Sequence, residues 1–287
     1  MSSHAVSLSA ELAHAVRINV AAALAEDIGN GDLTSQLIPA HATADAAVIC
    51  REKAILCGQA WFEACFHQLD PTARIHWYTR DGSCIGADQM LCEIHGNARA
   101  LLSAERPALN FLQTLSATAT VTQRYADAIA GTNAVVMDTR KTLPGLRLAQ
   151  KYAVLAGGGC NQRAGLYDGI LIKENHIAAA GGIAQVLAAA AQLAGGVTVQ
   201  IEVENLDELQ QALDAGARLI LLDNFTLDAL REAVKLTAGR AVLEASGNIS
   251  LATIRSVAET GVQRISVGGL TKHIQAVDLS LRFEWAM

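Results

Sequence analysis

Proline is scarce, with 4 residues in 287, and aromatic residues make up only 4% of the chain. The first figure excludes a Pro-rich scaffold. Charged residues are also few, 17% against 51% hydrophobic, which excludes a disordered chain and supplies a sizeable core. Positive charge is in the minority: 22 Lys and Arg face 28 Asp and Glu, a formal net charge of −6. A surface of that sign suits neither nucleic acid nor anionic lipid, so any anion binding has to come from a local basic cluster. No Cys-x-x-C occurs among Cys50, Cys57, Cys65, Cys84, Cys92 and Cys160. Cys92-Glu-Ile-His95 has no second pair to complete a zinc site. The N-terminus lacks the apolar run of a signal peptide, so reduced thiols in a cytoplasmic protein are expected. Residues 177–200 carry no charge, but Gly181-Gly182 and Gly195-Gly196 break them, which predicts a helix followed by a strand rather than a membrane span. G-x-S-x-G, H-E-x-x-H and the Walker motif are missing as well, and with them the common nucleophilic, zinc-protease and P-loop chemistries.

What is present divides into two halves. About residues 26–105 show short β-like runs at 46–50, 54–57, 74–78 and 90–95, separated by turns such as Asp70-Pro71 and Asp81-Gly82. One helical run, 59–69, lies among them, and a helix over about 9–25 precedes them. This predicts an α+β domain on an antiparallel sheet. From residue 104 onward the pattern alternates. A long helix over 109–130 is followed by strand-like runs at 134–138, 169–172, 197–203, 219–222, 241–243 and 265–267, with helices such as 146–156, 206–215 and 227–238 between them. Six apolar strands, each followed by a helix, predict a parallel sheet covered by helices. The strand ends choose between its two forms. Asp138-Thr-Arg-Lys141, Lys173-Glu-Asn175, Glu202-Val-Glu204, Asp223-Asn224, Glu244-Ala-Ser-Gly-Asn248 and Ser266-Val-Gly-Gly269 all stand at C-terminal ends. Functional groups on every strand end mark a βα barrel, here incomplete. The domains predicted are 1–110, 111–270, and a segment 271–287 that returns to the N-terminal domain.

Between Asp138 and His176 there are six cations (Arg140, Lys141, Arg147, Lys151, Arg163, Lys173) and three acids (Asp138, Asp168, Glu174), a local excess of positive charge suited to polyanions. Arg147 and Lys151, at i and i+4, have an equal claim to be a solvated helix face. Glu202 and Glu204 share a strand face, and Asp223, ending the next strand, is expected beside Glu202. Such carboxylates suit Mg²⁺, or an ion pair with Lys141 or Lys173. The glycine turns at Ser246–Asn248 and Val267–Gly269 suit phosphate. His176 is read as orienting a neighbour.

These motifs carry a resemblance. Thr139-Arg-Lys-Thr-Leu-Pro-Gly145, Lys151-Tyr-Ala-Val-Leu-Ala-Gly-Gly-Gly159, Leu171-Ile-Lys-Glu-Asn-His176, Glu202-Val-Glu-Asn205, Leu221-Leu-Asp-Asn-Phe225 and Glu244-Ala-Ser-Gly-Asn248 are similar to the quinolinate phosphoribosyltransferase family. Glu26-Asp-Ile-Gly-Asn-Gly-Asp-Leu-Thr34 extends the match through essentially the whole chain. The resemblance implies an α/β protein of type II phosphoribosyltransferase fold, an N-terminal open-faced sandwich plus an incomplete TIM-like barrel. It implies transfer from phosphoribosyl pyrophosphate (PRPP) to quinolinate with decarboxylation, Mg²⁺ as cofactor, and a homodimer or hexamer of dimers with shared sites. It assigns Thr139, Arg140, Lys141, Gln162, Arg163 and Lys173 to the anionic substrates, with Lys141, Glu202 and Asp223 as the catalytic group. Glu202 and Asp223 serve the metal, directly or through PRPP or water. Ser246, Gly247, Asn248, Ser266, Val267, Gly268 and Gly269 hold phosphate, and Arg106 is donated to the neighbouring subunit.

One departure stands out: the family pattern Asn-His-Arg is Asn161-Gln162-Arg163 here. Glutamine can donate a hydrogen bond to a substrate carboxylate but carries no charge. On that reading Gln162→His tightens quinolinate binding by up to about tenfold. Two alternatives remain: a paralogous molybdenum-transport-associated protein with another acceptor, and a phosphate-metabolite binder without turnover. Lys173-Glu-Asn-His176 favours the first reading, and a pure binder has little need of Glu202 and Asp223.

Overall fold

The computed structural model describes residues 9–284. The first half contains α1 (Ala10–Ile28), β1 (Thr43–Cys50), β2 (Ala54–Ile55), α2 (Gln59–Leu69), β3 (Arg74–Trp77), β4 (Cys84–Ile85), β5 (Met90–Asn97) and α3 (Ala98–Ala128). The second contains β6 (Val135–Met137), α4 (Arg147–Ala156), β7 (Gly169–Ile172), α5 (Glu174–Ala180), α6 (Ile183–Leu193), β8 (Thr198–Val203), α7 (Leu206–Asp214) and β9 (Leu219–Asp223). It ends with α8 (Leu227–Thr237), β10 (Val242–Ser246), α9 (Ile254–Ala258), β11 (Arg264–Ser266), α10 (Gly269–Lys272) and β12 (Leu279–Glu284). Two compact units result: among the described residues, 9–123 with Leu143–Gly158 and 273–284, and Arg124–Thr142 with Gly159–Lys272.

The first unit is built on an antiparallel sheet in the order β12-β1-β5-β3, with β2 and β4 forming a separate pair. Its core takes Val48 and Cys50 from β1 and Cys92 and Ile94 from β5, together with Trp61, Phe62 and Phe66 of α2, all at most 1% exposed. The Phe62 ring meets Trp77 edge-on at 5.3 Å between centroids, and α1 packs on α2. Asp45, Arg74, His76, Glu93 and His95 line a charged hollow on the sheet. The last strand, β12, pairs with β1 along its whole length.

Two helices differ from their expected bounds. The Ser9 side chain accepts from the Leu12 N–H, so α1 starts where predicted, but it runs to Ile28 and stops at Gly29, whose φ of 54° a β-carbon disfavours. Helix α3 starts at Ala98 rather than 109, because the Asn97 carboxamide oxygen accepts from the N–H groups of Arg99 and Ala100. Pro107 therefore lies inside the helix.

The second unit is a six-stranded parallel sheet in the order β6-β11-β10-β9-β8-β7. The first strand lies beside the last, the cyclic order of a barrel, but β6 and β7 do not pair. The chain between them covers part of that gap. Cys160 makes a single parallel bridge to Met137, and the Arg163 guanidinium donates to the Gly169 carbonyl at the start of β7 (2.9 Å). The expected incomplete barrel is the fold observed. Residues 177–200 form two helices before β8 rather than one. Gly181 and Gly182, with φ of 85° and 138°, bend α5 against α6 by 96°. Among the described residues no single helix is long and apolar enough to cross a membrane.

Candidate functional site at the strand ends

Lys173 directly follows β7 and takes an extended conformation as the N-cap of α5. Its ammonium group bridges both carboxylate oxygens of Glu202 on the neighbouring β8, at 2.9 and 2.8 Å. The Glu202 side chain is only 11% exposed, so the pair is partly shielded from water and worth more than a surface ion pair. His176 accepts through Nδ1 from the Lys173 backbone N–H at 3.0 Å. That bond holds the start of α5, the orienting role read from the sequence.

The carboxylates are arranged differently from expectation. Glu202 pairs with Leu221, while Asp223 pairs with Ser246 on β10. Asp223 thus stands one pleat beyond Glu202, about 8 Å away between Cα atoms from strand spacing and rise. It accepts from the Asn224 carboxamide at 2.7 Å, and the Asn224 N–H donates to the Ser246 carbonyl. Glu204 lies just past β8 and is exposed, its N–H donating to Glu208. Among the described residues no three His, Cys, Asp or Glu side chains converge as a metal cage. The donor set is two carboxylates on adjacent strands. Mg²⁺ accepts such a set when water and phosphate oxygens supply its remaining ligands.

Glycines shape both turns next to these groups. Gly247 has φ +105°, and a β-carbon there would lie 3.0 Å from the Asn224 Cα. Asn248 follows with φ 49°. At the ends of β6 and β11, the Thr139 hydroxyl accepts from the Lys141 N–H at 3.1 Å, and Thr271 donates to the Lys141 carbonyl at 2.9 Å. The Lys141 side chain runs along Gly268: a β-carbon added at Gly268 would meet Lys141 Cδ at 3.1 Å and Nζ at 3.9 Å. A cation, a hydroxyl and a glycine turn therefore meet at one point, the components of a pyrophosphate cradle.

Arg140 and Arg163 bring two guanidinium groups into one field. Burial lowers the Arg163 pKa, repulsion from Arg140 lowers it further, and Asp168 partly offsets both. Asp168 also ties the loop by accepting from the N–H groups of Ala164 (2.6 Å) and Gly165 (2.8 Å). Two cations held together in this way favour an arriving carboxylate.

Gln162 faces a different partner from the one expected. Its N–H donates to the buried Asp138 carboxylate at 2.8 Å. Its Nε2 donates to Gln200 Oε1 at 3.1 Å and to Glu244 Oε1. Both amide hydrogens are engaged by protein, so a substrate carboxylate would have to compete with Glu244 for them. Gln200 Nε2 donates to Glu244 Oε2 at 3.0 Å, and the Ser266 hydroxyl donates to Glu244 Oε1. Gln200, Glu244 and Ser266 are all buried. Sequence reasoning missed Gln200 as a site residue and read Glu244 as the end of its strand. The available signal was a polar residue two positions before the polar strand end, Gln200 before Glu202 and Glu244 before Ser246.

Three cations belong to the other compact unit. Arg106 lies on α3 with its side chain 58% exposed, 3.9 Å from Glu105. Arg147 is half-buried on α4. Lys151, 3% exposed, does not solvate a helix face, which corrects that reading.

Comparison with known proteins agrees with this architecture. The family model for the quinolinate phosphoribosyl transferase N-terminal domain matches residues 32–116, and that for the C-terminal domain matches 118–282. A probable nicotinate-nucleotide pyrophosphorylase [carboxylating] of Bacillus subtilis (strain 168) is 42% identical over 257 residues, 89% of each chain. A quinolinate phosphoribosyltransferase [decarboxylating] of Nicotiana tabacum is 39% identical, covering 91% of this chain and 80% of its own. The solved nicotinate-nucleotide pyrophosphorylase of Francisella tularensis superposes with a TM-score of 0.92 at 47% identity, over 95% of this chain and 97% of its own.

Proposed function

The chain belongs to the quinolinate phosphoribosyl transferase family, and we propose that its strand-end site transfers the phosphoribosyl group of PRPP to quinolinate with loss of CO₂, giving nicotinate mononucleotide and pyrophosphate. The observation that carries this is Lys141 lying along Gly268 beside Thr139. That is the chemistry a pyrophosphate requires, and it stands in the same unit as the Arg140–Arg163 pair, which suits carboxylates.

In this reading Arg140, Arg163 and Lys173 bind the two carboxylates of quinolinate and aim the ring nitrogen at the ribose carbon. The turn at Ser246–Asn248 holds the 5′-phosphate, and Lys141, with the Val267–Gly269 turn beside it, neutralises the departing pyrophosphate. Glu202 and Asp223 would hold Mg²⁺, which when bound would supply charge neutralisation to the same leaving group. Displacement through an oxocarbenium-like transition state needs positioning and charge stabilisation rather than a protein nucleophile. Once the ring nitrogen is alkylated its positive charge lies beside the 2-carboxylate; as CO₂ leaves, the C–C bonding pair stays on C2, stabilised by the adjacent cationic nitrogen, and C2 then takes a proton from water. The exposed Arg106 supports a two-fold dimer, alone or in a hexamer of dimers, in which Arg106 serves the neighbouring subunit. Six free cysteines support a cytoplasmic, reducing location.

The test is purified protein with PRPP, Mg²⁺ and either quinolinate or nicotinate. Nicotinate mononucleotide is expected from quinolinate alone, because a monocarboxylate leaves part of the Arg140, Arg163 and Lys173 cluster without a carboxylate to neutralise it. No nucleotide from quinolinate, or equal turnover of both acids, overturns the reading.

A further inference from the structure

Inside the barrel a carboxylate is buried without any role so far. Glu244 is 0% exposed, lies within β10, and accepts hydrogen bonds from the side chains of Gln162, Gln200 and Ser266. A buried carboxylate is costly unless its oxygens are satisfied, and here each oxygen has at least one donor. With Glu244 as acceptor the direction of every bond is fixed. Gln200 turns its Nε2 to Glu244 Oε2, which leaves its Oε1 to accept the second hydrogen of Gln162 Nε2. The result is a closed ring of three side chains from β8, β10 and the Gly159–Asp168 connection, with Ser266 of β11 attached.

We propose that Glu244 is a positioning residue: with Gln200 and Ser266 it fixes the Gln162 amide, and through it the segment that carries Arg163 to the substrate end of the barrel. Two observations require such a device. The connection from Cys160 to Asp168 has a single bridge to β6 in place of a strand ladder, so individual hydrogen bonds, among them Gln162 N–H to Asp138 and those of the Gln162 amide, set its position. Arg163, the next residue after Gln162, is held beside Arg140, whose charge repels it. An anchor one residue away resists that repulsion and keeps the pair ready for a carboxylate. The ring also occupies the Ser266 hydroxyl with Glu244, leaving the backbone of the following glycine turn as the phosphate-facing group.

This rests on the activity proposed above, and the test separates the two. In Glu244→Gln one carboxylate oxygen becomes an NH₂ group that faces a donor from Gln162, Ser266 or Gln200. In the double variant Glu244→Gln with Gln200→Glu, every donor again meets an acceptor: Gln162 donates to both, Ser266 donates to the new amide oxygen, and the new NH₂ donates to the new carboxylate. Glu244→Gln is expected to raise the KM for quinolinate about tenfold, the effect of one misplaced donor. It should leave kcat within about twofold, and the double variant should return KM to near the wild-type value. Backbone amide exchange without substrate is the second readout. Gln162, Ala164 and Gly165 should lose protection in Glu244→Gln and regain it in the swap. Unchanged quinolinate KM and unchanged exchange in Glu244→Gln overturn the proposal. So does a swap that recovers thermal stability but neither KM nor protection. If the wild type shows no turnover, the reading of the reaction fails, while the exchange pattern still decides whether Glu244 anchors this segment.

Discussion

Replacing Gly268 by alanine probes the pyrophosphate cradle without touching a charged group. Its φ is ordinary, so the backbone accepts a β-carbon without strain. The new methyl would lie 3.1 Å from Lys141 Cδ, inside the comfortable carbon–carbon separation of about 3.5–4 Å. Lys141 is flexible at that point and yields by about 0.5 Å. Its ammonium then leaves the position it takes against the leaving group. A charge-assisted hydrogen bond contributes about 1.5–3 kcal/mol, and losing half of it costs about 0.8–1.5 kcal/mol, roughly four- to twelvefold in rate. We therefore expect kcat/KM for PRPP to fall about tenfold with Tm changed by less than about 2 °C. Gly247→Ala is the contrast, because its φ of +105° disfavours any β-carbon, and that β-carbon would overlap the Asn224 side chain and lie 3.0 Å from the Asn224 Cα, a backbone atom that cannot turn aside. That variant should lose stability as well as activity. Steady-state kinetics against PRPP at saturating quinolinate, with thermal melts of both proteins, provide the assay. An unchanged kcat/KM for Gly268→Ala, or a loss of stability equal to that of Gly247→Ala, refutes the geometry assigned to Lys141.

Gln162→His should fail to tighten quinolinate binding, contrary to the reading from sequence. One imidazole N–H can replace the donor to Glu244, but the link to Gln200 is lost at about 1 kcal/mol of stability, and a tenfold fall in Kd by calorimetry refutes the anchoring role. For Arg106, mixing inactive Arg106→Ala with inactive Lys141→Ala should restore about a quarter of wild-type activity, since about half of random dimers are mixed and each holds one intact site. An inactive mixture, with subunit exchange verified, shows that Arg106 does not act across subunits. Asp81 gives a pH test. Burial pushes its carboxyl above the usual 3.8, against the opposing pull of the Gly58 N–H, the Tyr152 hydroxyl and the Gln59 N–H. A raised folded pKa means that the stability it contributes is present below pH 3.8 and lost as pH rises through the folded value. Asp81→Asn should therefore gain Tm relative to wild type at pH 7 and lose that gain towards pH 4, and a pH-independent difference contradicts it.

The six barrel strands were legible because each is an apolar run ended by polar residues, and their predicted bounds lie within three residues of those observed. The largest error among the barrel strands is instructive. The strand predicted to stop at Leu243 continues to Ser246, because Glu244 is polar yet buried and hydrogen-bonded inside the barrel. Local polarity cannot distinguish a strand end from a satisfied buried carboxylate. The same blindness hid Gln200 and placed Gln162 against substrate, since its partners are distant in sequence. The start of α3 was missed because the apolar period that marked the helix begins at 109, whereas the Asn97 side chain caps it twelve residues earlier. Strand β12 was not legible as a strand, because its pairing with β1 spans more than two hundred residues of chain. The charged strand ends were readable because the barrel sets its functional groups at one place in every repeat, where short stretches of sequence reveal them.

The most direct test of the central claim uses quinolinate labelled with ¹³C in the 2-carboxyl group, incubated with the protein, PRPP and Mg²⁺. Labelled CO₂ and unlabelled nicotinate mononucleotide should appear in equal amounts, and neither should form when PRPP is withheld. Label retained in the nucleotide, or released without PRPP, contradicts a site in which ring alkylation drives the decarboxylation.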